Sequence, residues 1–363
     1  MSKYGLPEFE ELKTSTKTLM IYTNICFDLD QIFQELKITS VDVPLTKKKK
    51  NVDKKRLVAP YGAIISVMKG IKFRGIDIRK KRKHWCTANC RIIEKRGNKN
   101  VSIHTVIEEP YLIEGTDIYE IKYFCTNCKQ YYSLKQLKKI TNFLNQVTVV
   151  LSIGNIILNI MMFKDNFKLA GCKHKDDGTE ATIILWKHYI RNISGGWHLK
   201  PEALNDSPRF VFNLVMKNVD FKLGFSIDRE KLNILMNNHK YKDKVFMSQC
   251  ETTGHTNVNI KMYSTRPTDY KYDCLVIPID AEAFFIQLSS NPYKPNKQPK
   301  KEYATLIAFS SSEIILSGRY DDNMKEIYEF FVAEVMENRN IIEEKISKPN
   351  KNLLTHLQLT EDS

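Results

Sequence analysis

Residues Tyr303–Met336, YATLIAFSSSEIILSGRYDDNMKEIYEFFVAEVM, carry the pattern that decides the fold. Alternating side chains over residues 303–309 and a second apolar run at Ile314–Leu316 predict two strands joined by a serine-rich turn. Asp321-Asp322 then suits the start of a helix. The predicted helix places apolar residues at three- and four-residue steps along one face, namely Met324, Ile327, Phe331 and Val335. The stretch is therefore interpreted as a β-hairpin followed by an amphipathic helix.

A weaker copy of this pattern lies upstream, over Ile156–Ile193. Phe163 and Gly171 correspond there to Phe309 and Gly318 of the first stretch, but their spacing is one residue shorter, so Met162 competes with Phe163 for the first position. Earlier in each copy, a strand containing an asparagine precedes a short helix, at Asn24 with residues 28–36 and at Asn218 with residues 228–238. An internal repeat of this kind fixes the architecture. It predicts two β-α-β-β-β-β-α units that can join edge to edge into one curved antiparallel sheet.

The pattern divides the chain into a repeat, an insertion and a second repeat. Residues 74–140 interrupt the first repeat with a change in charge and four cysteines. The expected segments are a lead-in at 1–16, the first repeat at 17–73 and 141–196, the insertion at 74–140, the second repeat at 205–346 with an inserted loop at 264–302, and a flexible tail at 347–363.

The composition favours an anionic partner. The 363 residues carry a formal net charge of +14 and a sequence pI of about 9.2. Such a balance is typical of nucleic-acid binding and less often of binding to a membrane surface, although Lys-rich proteins of AT-rich genomes share it. The N-terminus has no apolar core typical of a signal peptide. Polar residues and a glycine break the apolar run Val147–Phe163, which is better interpreted as two strands than as a membrane span.

Cysteine spacing in the insertion predicts a structural zinc site. Cys86-x3-Cys90 and Cys125-x2-Cys128 form two close pairs, which supply the four thiolates of a tetrahedral site. His84 is an alternative ligand, and four free cysteines are the simpler alternative. The basic run Arg79–Lys83 adjoins this module, so it could contact DNA or a polymerase. The other cysteines are expected to be core or structural residues, namely Cys26, Cys172, Cys250 and Cys274.

The repeated motifs resemble the TATA-box-binding protein family. In that family a phenylalanine followed by two serines, a return strand, a Thr-Gly and a helix recur in each half. Phe309-Ser310-Ser311 and Ser317-Gly318 match this order, and the resemblance covers most of residues 17–73, 143–193 and 209–345. It implies an α+β fold, a pseudo-twofold saddle whose curved antiparallel sheet carries helices on its convex face, with a zinc-ribbon-like module inserted.

The resemblance also implies a function. A saddle of this kind binds and bends A/T-rich promoter DNA through the minor groove and recruits the transcription machinery through its helices. Its expected partners are A/T-rich double-stranded DNA and RNA polymerase or other initiation factors. Asn24 and Asn218 match the asparagines that the family places centrally against base edges, where short amide donors suit the acceptors of A·T pairs. Taken alone, each would be an ordinary strand-end or turn asparagine.

Other residues match the wedges and phosphate contacts of such a saddle. Apolar rings inserted between base steps kink the duplex. Phe163 and Phe309 match one wedge of each half, and Tyr61 matches the second wedge of the first half. His255 takes the corresponding place in the second half, where a smaller, polar ring departs from the pattern. Core packing is the alternative for both phenylalanines. The lysines expected at phosphates include Lys69, Lys217 and Lys261.

Two other classes of function stay open: a protein-interaction scaffold of the same fold without DNA binding, and an accessory domain of a nucleic-acid enzyme. No Gly-rich phosphate loop, HExxH motif or serine nucleophile elbow is present, so no catalysis is expected. Long insertions and a Lys/Ile/Asn-rich composition resemble family members of large cytoplasmic DNA viruses. The expected location is intracellular: the host cytoplasm (a viral factory) or the virion for a viral protein, and the nucleus for a cellular one.

Overall fold

A computed structural model describes residues 4–39, 59–77, 93–96, 99–102, 106–125, 131–132, 145–203, 206–250, 257–294 and 302–344. The strands of the N-terminal part are β1 Thr14–Thr23, β2 Ile25–Phe27, β3 Ile64–Lys69, β4 Lys72–Gly75, β5 Ile93–Arg96, β6 Lys99–Ser102, β7 Val106–Leu112, β8 Tyr119–Cys125, β9 Tyr131–Tyr132, β10 Val147–Ile153, β11 Ile156–Met162, β12 Asn166–Cys172 and β13 Trp197–Leu199. The strands that follow are β14 Arg209–Lys222, β15 Val245–Cys250, β16 Asn257–Ser264, β17 Tyr272–Val276, β18 Phe284–Leu288, β19 Glu302–Phe309 and β20 Glu313–Gly318. The α-helices are α1 Leu29–Glu35, α2 Lys175–Ile184, α3 Arg229–Met236, α4 Asp321–Glu337 and α5 Arg339–Ile342.

The chain forms two compact units, each with its own hydrophobic core. The first unit contains Lys17–Leu214 and Lys271–Pro295. The second unit contains Met1–Thr16, Val215–Tyr270 and Asn296–Ser363. Antiparallel sheet with a few helices makes both units α+β, as the sequence predicts.

The second unit contains the hairpin and helix predicted from residues 303–336. β19 and β20 pair in antiparallel register, and α4 follows at Asp321. The strands lie in the order β15-β16-β19-β20-β14, and α3 and α4 pack on one face of this sheet. Gly318 is required at the end of β20, since a Cβ there would lie 2.4 Å from Cγ of Met324 on α4.

The first unit repeats this topology. Its strands lie in the order β1-β12-β11-β10-β3, and the chain order β1-α1-β3-β10-β11-β12-α2 matches β14-α3-β15-β16-β19-β20-α4 of the second unit. In each copy an aspartate caps the first helix: Asp28 accepts hydrogen bonds from the backbone N–H groups of Asp30 and Gln31, and Asp228 from that of Lys231. The repeated β-α-β-β-β-β-α unit is thus present in both units.

Two predicted boundaries differ from the structure. The insertion does not begin as a separate module, because β4 pairs with β3 and with β8, and β7 and β8 continue the sheet of the first unit. The segment 264–302, predicted to be a loop, contains strands β17 and β18. Residues 271–295 belong to the first unit, where β17 pairs with the start of β14. Both differences arise from strand pairing between segments far apart in sequence, which local patterns do not report.

In the described part of the chain, no helix is long and apolar enough to cross a membrane. The apolar run Val147–Phe163 forms the antiparallel pair β10 and β11, as the sequence predicts.

Candidate nucleic-acid interface

The sheet of the second unit has a face opposite its helices, here called the helix-distal face. Side chains alternate along a strand. In β19, Ala304, Leu306 and Ala308 are buried against the helices, so Thr305, Ile307 and Phe309 lie on the helix-distal face, partly exposed. The same alternation places further side chains there, namely Asn218 and Asp220 of β14, Asn257, Asn259 and Lys261 of β16, and Ile315 and Ser317 of β20.

Strand register arranges the polar side chains of this face in a row. Asn218 lies opposite Ser317, and Ser317 lies opposite Thr305. Thr305 in turn lies opposite Lys261 on β16. The row therefore presents an amide, two hydroxyls and one ammonium group across four strands, a set that can donate hydrogen bonds to acceptors.

A second row combines apolar, amide and acidic groups. Ile315 and Ile307 lie opposite each other, with Asp220 beside one and Asn259 beside the other. Asp220 is exposed and is the carboxylate nearest to Asn218 along β14. This face is therefore mixed, and it carries carboxylates on two strands, Asp220 on β14 and Glu313 on β20.

Two amide oxygens of this face are buried without a partner. Oδ1 of Asn218 and Oδ1 of Asn259 accept no hydrogen bond from any described residue. A buried polar atom left unpaired costs about 1–3 kcal/mol. Each Oδ1 is therefore an unsatisfied acceptor turned away from solvent, and the NH2 group is the part of each partly exposed side chain that can bond to an external group.

The helix-distal face of the first unit is different in character. One row runs across Met20, Lys168, Met161, Thr148 and Met68. The neighbouring row runs across Thr18, Ala170, Asn159, Val150 and Ser66. Thr18 is only 7% exposed, and Val150 and Ser66 are fully buried. The accessible part of this face is rich in methionine and also carries the exposed amide of Asn159.

The shared topology shows that Asn24 and Asn218 are not equivalent positions. Asn218 lies ten residues before the helix cap Asp228, and Thr18 lies ten residues before Asp28, whereas Asn24 lies four residues before it. The cross-strand pairs agree, because Thr18 faces Ala170 on β12 as Asn218 faces Ser317 on β20. The predicted correspondence of Asn24 with Asn218 is therefore wrong by six residues.

Asn24 also lies inside the protein. Its side chain has 0% exposure. Its Nδ2 donates to the backbone oxygen of Ser207 at 3.0 Å, and its Oδ1 accepts from the backbone N–H of Arg209 at 2.8 Å. The amide thus joins the end of β1 to the start of β14 within the first unit. A role at base edges, predicted from its asparagine identity, is not compatible with this placement.

Three further predicted contacts lie on the helix side of the sheets. Tyr61 donates a hydrogen bond from its hydroxyl to Glu180 of α2, which raises the pKa of Tyr61. Lys69 forms an ion pair with Asp30 of α1. Lys217 forms one with Asp321 of α4 at 2.8 Å. All three side chains thus pair with helix carboxylates, and the wedge at Tyr61 and the phosphate contacts at Lys69 and Lys217 stay predictions. Strand alternation reverses the face at each residue.

Phe163 and Phe309 keep the positions expected of a repeated pair. Phe309 is the last residue of β19 and lies opposite Asn257, while Phe163 directly follows β11. Both are partly exposed and continue the alternation of helix-distal side chains. Their role as wedges stays a prediction, as does that of Lys261 at a phosphate. His255 lies outside the described residues.

The predicted zinc ligands fall mostly outside the described residues. Cys86, Cys90 and Cys128 do so, and Cys125 is the last residue of β8. Among the residues that are described, no group of three or more His, Cys, Asp or Glu side chains could hold a metal ion. The four-cysteine site therefore stays a prediction.

The remaining cysteines are free thiols, and two of them are buried as expected. Burial raises the pKa of Cys172 to about 12 and that of Cys274 to about 11. Both are therefore neutral thiols at physiological pH and are poor nucleophiles or metal ligands.

Sequence reasoning missed Asn259 and the pairing of Asn218 with Ser317. Alternation within β16 could have placed Asn257, Asn259 and Lys261 on one face, because Val258, Ile260 and Met262 supply the buried set. Counting residues back from the helix caps Asp28 and Asp228 could have shown which strand residues of the two repeats are equivalent.

The fold and this face define a duplicated α+β sheet protein with a mixed polar and apolar surface opposite its helices. No protein-family model matches the chain. The chain is 34% identical over 138 residues to a protein of Acanthamoeba polyphaga mimivirus described as "TATA-box-binding protein-like". The match covers 33% of this chain and 37% of that protein, so the chain spans little more than a third of its relative. This similarity supports a relationship with TATA-box-binding protein-like proteins and agrees with the family resemblance of the repeated motifs.

Proposed function

We propose that this protein is a TATA-box-binding protein-like transcription initiation factor, which binds and bends A/T-rich promoter DNA through the minor groove and has no catalytic activity. The observation that carries the proposal is the cross-strand pair of Asn218 and Ser317 on the helix-distal face of the second unit. The similarity to the mimivirus protein and the repeated topology support it. The proposal includes a pseudo-twofold saddle in which both helix-distal faces contact DNA.

The chemistry of the face suits the minor groove. A·T and T·A pairs present only acceptors there, adenine N3 and thymine O2, whereas guanine adds an amino group. The amide of Asn218 and the hydroxyls of Ser317 and Thr305 can donate to such acceptors. Ile307 and Ile315 supply an apolar floor beside them. The ammonium group of Lys261 ends the row, where it can pair with a phosphate.

Phe309 and Phe163 provide the means of bending. A ring inserted between base steps costs a few kcal/mol per step, which the larger contact area of the bent duplex offsets. Each ring lies at the end of its strand and is followed by a tight connection, at Ser310–Ser312 and Lys164–Asp165 respectively. A strand end is the position from which a side chain can enter a groove.

The proposal assigns recruitment of the transcription machinery to the helix sides of the two units. RNA polymerase or other initiation factors are the expected partners. The expected location of the protein depends on its origin. A viral protein would act in a cytoplasmic viral factory or in the virion, and a cellular protein would act in the nucleus. Structural zinc held by Cys86, Cys90, Cys125 and Cys128 would order the insertion.

A protein-interaction scaffold is the second candidate. Asp220 and Glu313 favour it, because both carboxylates belong to strands that form the helix-distal face and would repel phosphates. Lys222 neutralises Glu313 through an ion pair at 3.1 Å, but Asp220 has no ion pair among the described contacts. The charge of the helix-distal face therefore distinguishes DNA binding from a role as a protein-interaction scaffold.

A gel-shift assay combined with a bending readout tests the proposal. Matched duplexes should carry an A/T-rich core, a G/C-rich core, or the G/C-rich core with inosine in place of guanine, which removes the minor-groove amino group. Preferential binding and bending of the A/T-rich and inosine duplexes is expected. Asn218→Ala should lower this preference, while Gln34→Ala, an exposed amide on α1, serves as the control. Equal affinity for all duplexes without a bend would favour the scaffold.

A further inference from the structure

We infer that Asn259 is a second specificity-determining residue beside Asn218, so that the second unit discriminates A·T from G·C pairs more strongly than the first. This inference rests on the proposed function and deepens it. It begins from the chemistry of equivalent positions in the two units, which the shared strand order and register define.

Neither Asn218 nor Asn259 has an amide at the equivalent position of the first unit, whose own exposed amide, Asn159, takes the place of Thr305. Thr18 takes the place of Asn218, and Thr148 takes the place of Asn259. Thr18 is buried, and the hydroxyl of Thr148 already accepts a hydrogen bond from Nε2 of Gln146 at 3.1 Å. Ala170 replaces Ser317, which removes a further hydroxyl. The equivalent positions of the first unit therefore offer little hydrogen bonding to a ligand.

The buried oxygens of Asn218 and Asn259 leave the NH2 group as the part of each amide that can meet a ligand. Each Oδ1 is buried and accepts no hydrogen bond from a described residue, while both side chains are partly exposed. With the oxygen turned inward, the NH2 can donate to adenine N3 or thymine O2. The 2-amino group of guanine would occupy that space with a donor facing a donor. A single side-chain NH2 group in this position therefore disfavours G·C pairs, because it faces another donor there.

The spacing of the two amides suits two separate base pairs. Asn218 on β14 and Asn259 on β16 are three strand-to-strand steps apart across β20 and β19. At about 4.8 Å per step the separation across the strands is about 14 Å, and the two-residue offset along the strands brings the distance to about 16 Å. Base pairs rise by about 3.4 Å, so the amides can reach positions about five base pairs apart. Lys261, two residues from Asn259 on the same face, can anchor the adjacent phosphate.

The first unit offers an apolar surface instead. Met20, Met161 and Met68 belong to its accessible row. Methionine side chains are flexible and polarisable and pack on varied shapes. They form no directional hydrogen bonds that distinguish one base pair from another. Contacts of these methionines should therefore add affinity without sequence preference. Asn159 is the one exposed amide in the two rows of this face, against two amides in the second unit, so the protein should bind an asymmetric site in one orientation.

A substitution scan across the binding site tests this inference. Blocks of G·C pairs should replace A·T pairs in one half of the site and then in the other, each with an inosine·cytosine version as a control. Replacement in one half is expected to lower affinity about tenfold or more, and in the other half about threefold or less. Inosine should restore binding in the sensitive half.

Variants connect the sensitive half to the second unit. Asn259→Ala should lower the discrimination in the sensitive half by about tenfold. Thr148→Ala, at the equivalent position, should leave it unchanged, and Met161→Ala should weaken binding to all duplexes alike. Asn259→Asp, which keeps the shape but removes the NH2 donor, replaces the alanine variant if that variant is unstable.

The outcomes separate this inference from the proposed function. Equal sensitivity of both halves, or unchanged discrimination in both Asn259 variants, would overturn the inference and leave DNA bending intact. Absence of any A/T preference in the full-length wild-type protein would overturn the proposed function itself, and the inference with it.

Discussion

Asn218 lies directly opposite Ser317 in the paired strands β14 and β20, and both side chains are on the helix-distal face of the second unit. The first unit has Thr18 opposite Ala170 at the same place. The repeat is therefore symmetric in topology and asymmetric in chemistry. This asymmetry separates asparagines with a structural role from those available to a ligand.

Replacement of Asn24 by alanine should destabilise the fold. The substitution leaves the partly buried backbone oxygen of Ser207 and N–H of Arg209 unpaired, which should lower the free energy of unfolding by about 1–3 kcal/mol. Asn218→Ala should change it by less than about 1 kcal/mol, since its amide oxygen has no partner among the described residues. Urea unfolding of both variants measures the difference. A stable Asn24→Ala protein that has lost only A/T preference would contradict the placement of Asn24.

Replacement of the two partly exposed phenylalanines should reduce DNA bending. Phe309→Ala and Phe163→Ala each remove a ring at the end of a strand, so the bend angle should decrease while much of the affinity remains. Phe331→Ala is the contrasting variant, because this fully buried ring of α4 should cost about 3–5 kcal/mol of stability. Energy transfer between dyes at the ends of a duplex measures the bend. A loss of folding in Phe309→Ala with unchanged bending per bound molecule would assign that ring to the core.

The effect of replacing a lysine should depend on the face of the sheet on which its side chain lies. Lys261→Ala should reduce the slope of log affinity against log salt by about 0.9, the value for one phosphate contact. Lys69→Ala and Lys217→Ala should leave that slope unchanged, because both ammonium groups pair with helix carboxylates, Asp30 and Asp321. Binding titrations at several salt concentrations provide the slopes. A reduced slope for Lys217→Ala would place this side chain at the DNA.

Local patterns in the sequence predicted the elements of the fold better than the faces of its strands. The hairpin and helix at residues 303–336 follow from alternation and helical spacing, and both appear as predicted. The aspartate caps at Asp28 and Asp228 also follow from local chemistry. Which side of a strand a residue occupies depends on register, where a shift of one residue exchanges the faces. Lys217 and Asn218 are neighbours in sequence and lie on opposite faces for this reason.

Long-range pairing was the other part that the sequence did not reveal. Strands β17 and β18 belong to the first unit, although the segments before and after them along the chain belong to the second unit. Likewise, β4 connects the insertion to the sheet through two short pairings. Arg74 reinforces that connection: Nε lies 2.8 Å from Oδ2 of Asp117, and Nη1 donates to the backbone oxygens of Phe33, Gln34 and Leu36 at the end of α1. Contacts of this kind have no local signature.

The spacing of Cys86, Cys90, Cys125 and Cys128 predicts one zinc ion per chain. Metal analysis of protein purified without chelators should find about one equivalent, and Cys125→Ser with Cys128→Ser should abolish it. Cys172→Ser is the matched control, because burial raises the pKa of that thiol and disfavours the thiolate that zinc requires. An unchanged zinc content in the double variant would refute the four-cysteine site.

The N-terminal segment of the second unit packs on α4 and should contribute measurably to its stability. The hydroxyl of Tyr328 donates to the backbone oxygen of Pro7 at 2.6 Å, and the buried ring of Phe9 lies 5.9 Å from the Tyr328 ring, centroid to centroid. Phe9→Ala should lower the free energy of unfolding by about 3–5 kcal/mol, and Tyr328→Phe by about 0.5–1.5 kcal/mol. Lys325→Ala serves as the surface control, because its ion pair with Glu10 is exposed and such pairs contribute little.

The contribution of Tyr328 should also depend on pH. Burial raises the pKa of Tyr328 to about 12, so the folded protein keeps this hydroxyl neutral after the unfolded chain begins to ionise it near its ordinary value of about 10. The stability that the wild type gains over Tyr328→Phe is therefore fully present below pH of about 10, and it falls by about 1.4 kcal/mol per pH unit above that value, so that it is lost before the pH reaches about 12. Urea unfolding of both proteins across this range measures the difference. A difference that stays constant with pH would show that Tyr328 is solvated and that residues 4–12 do not cover α4.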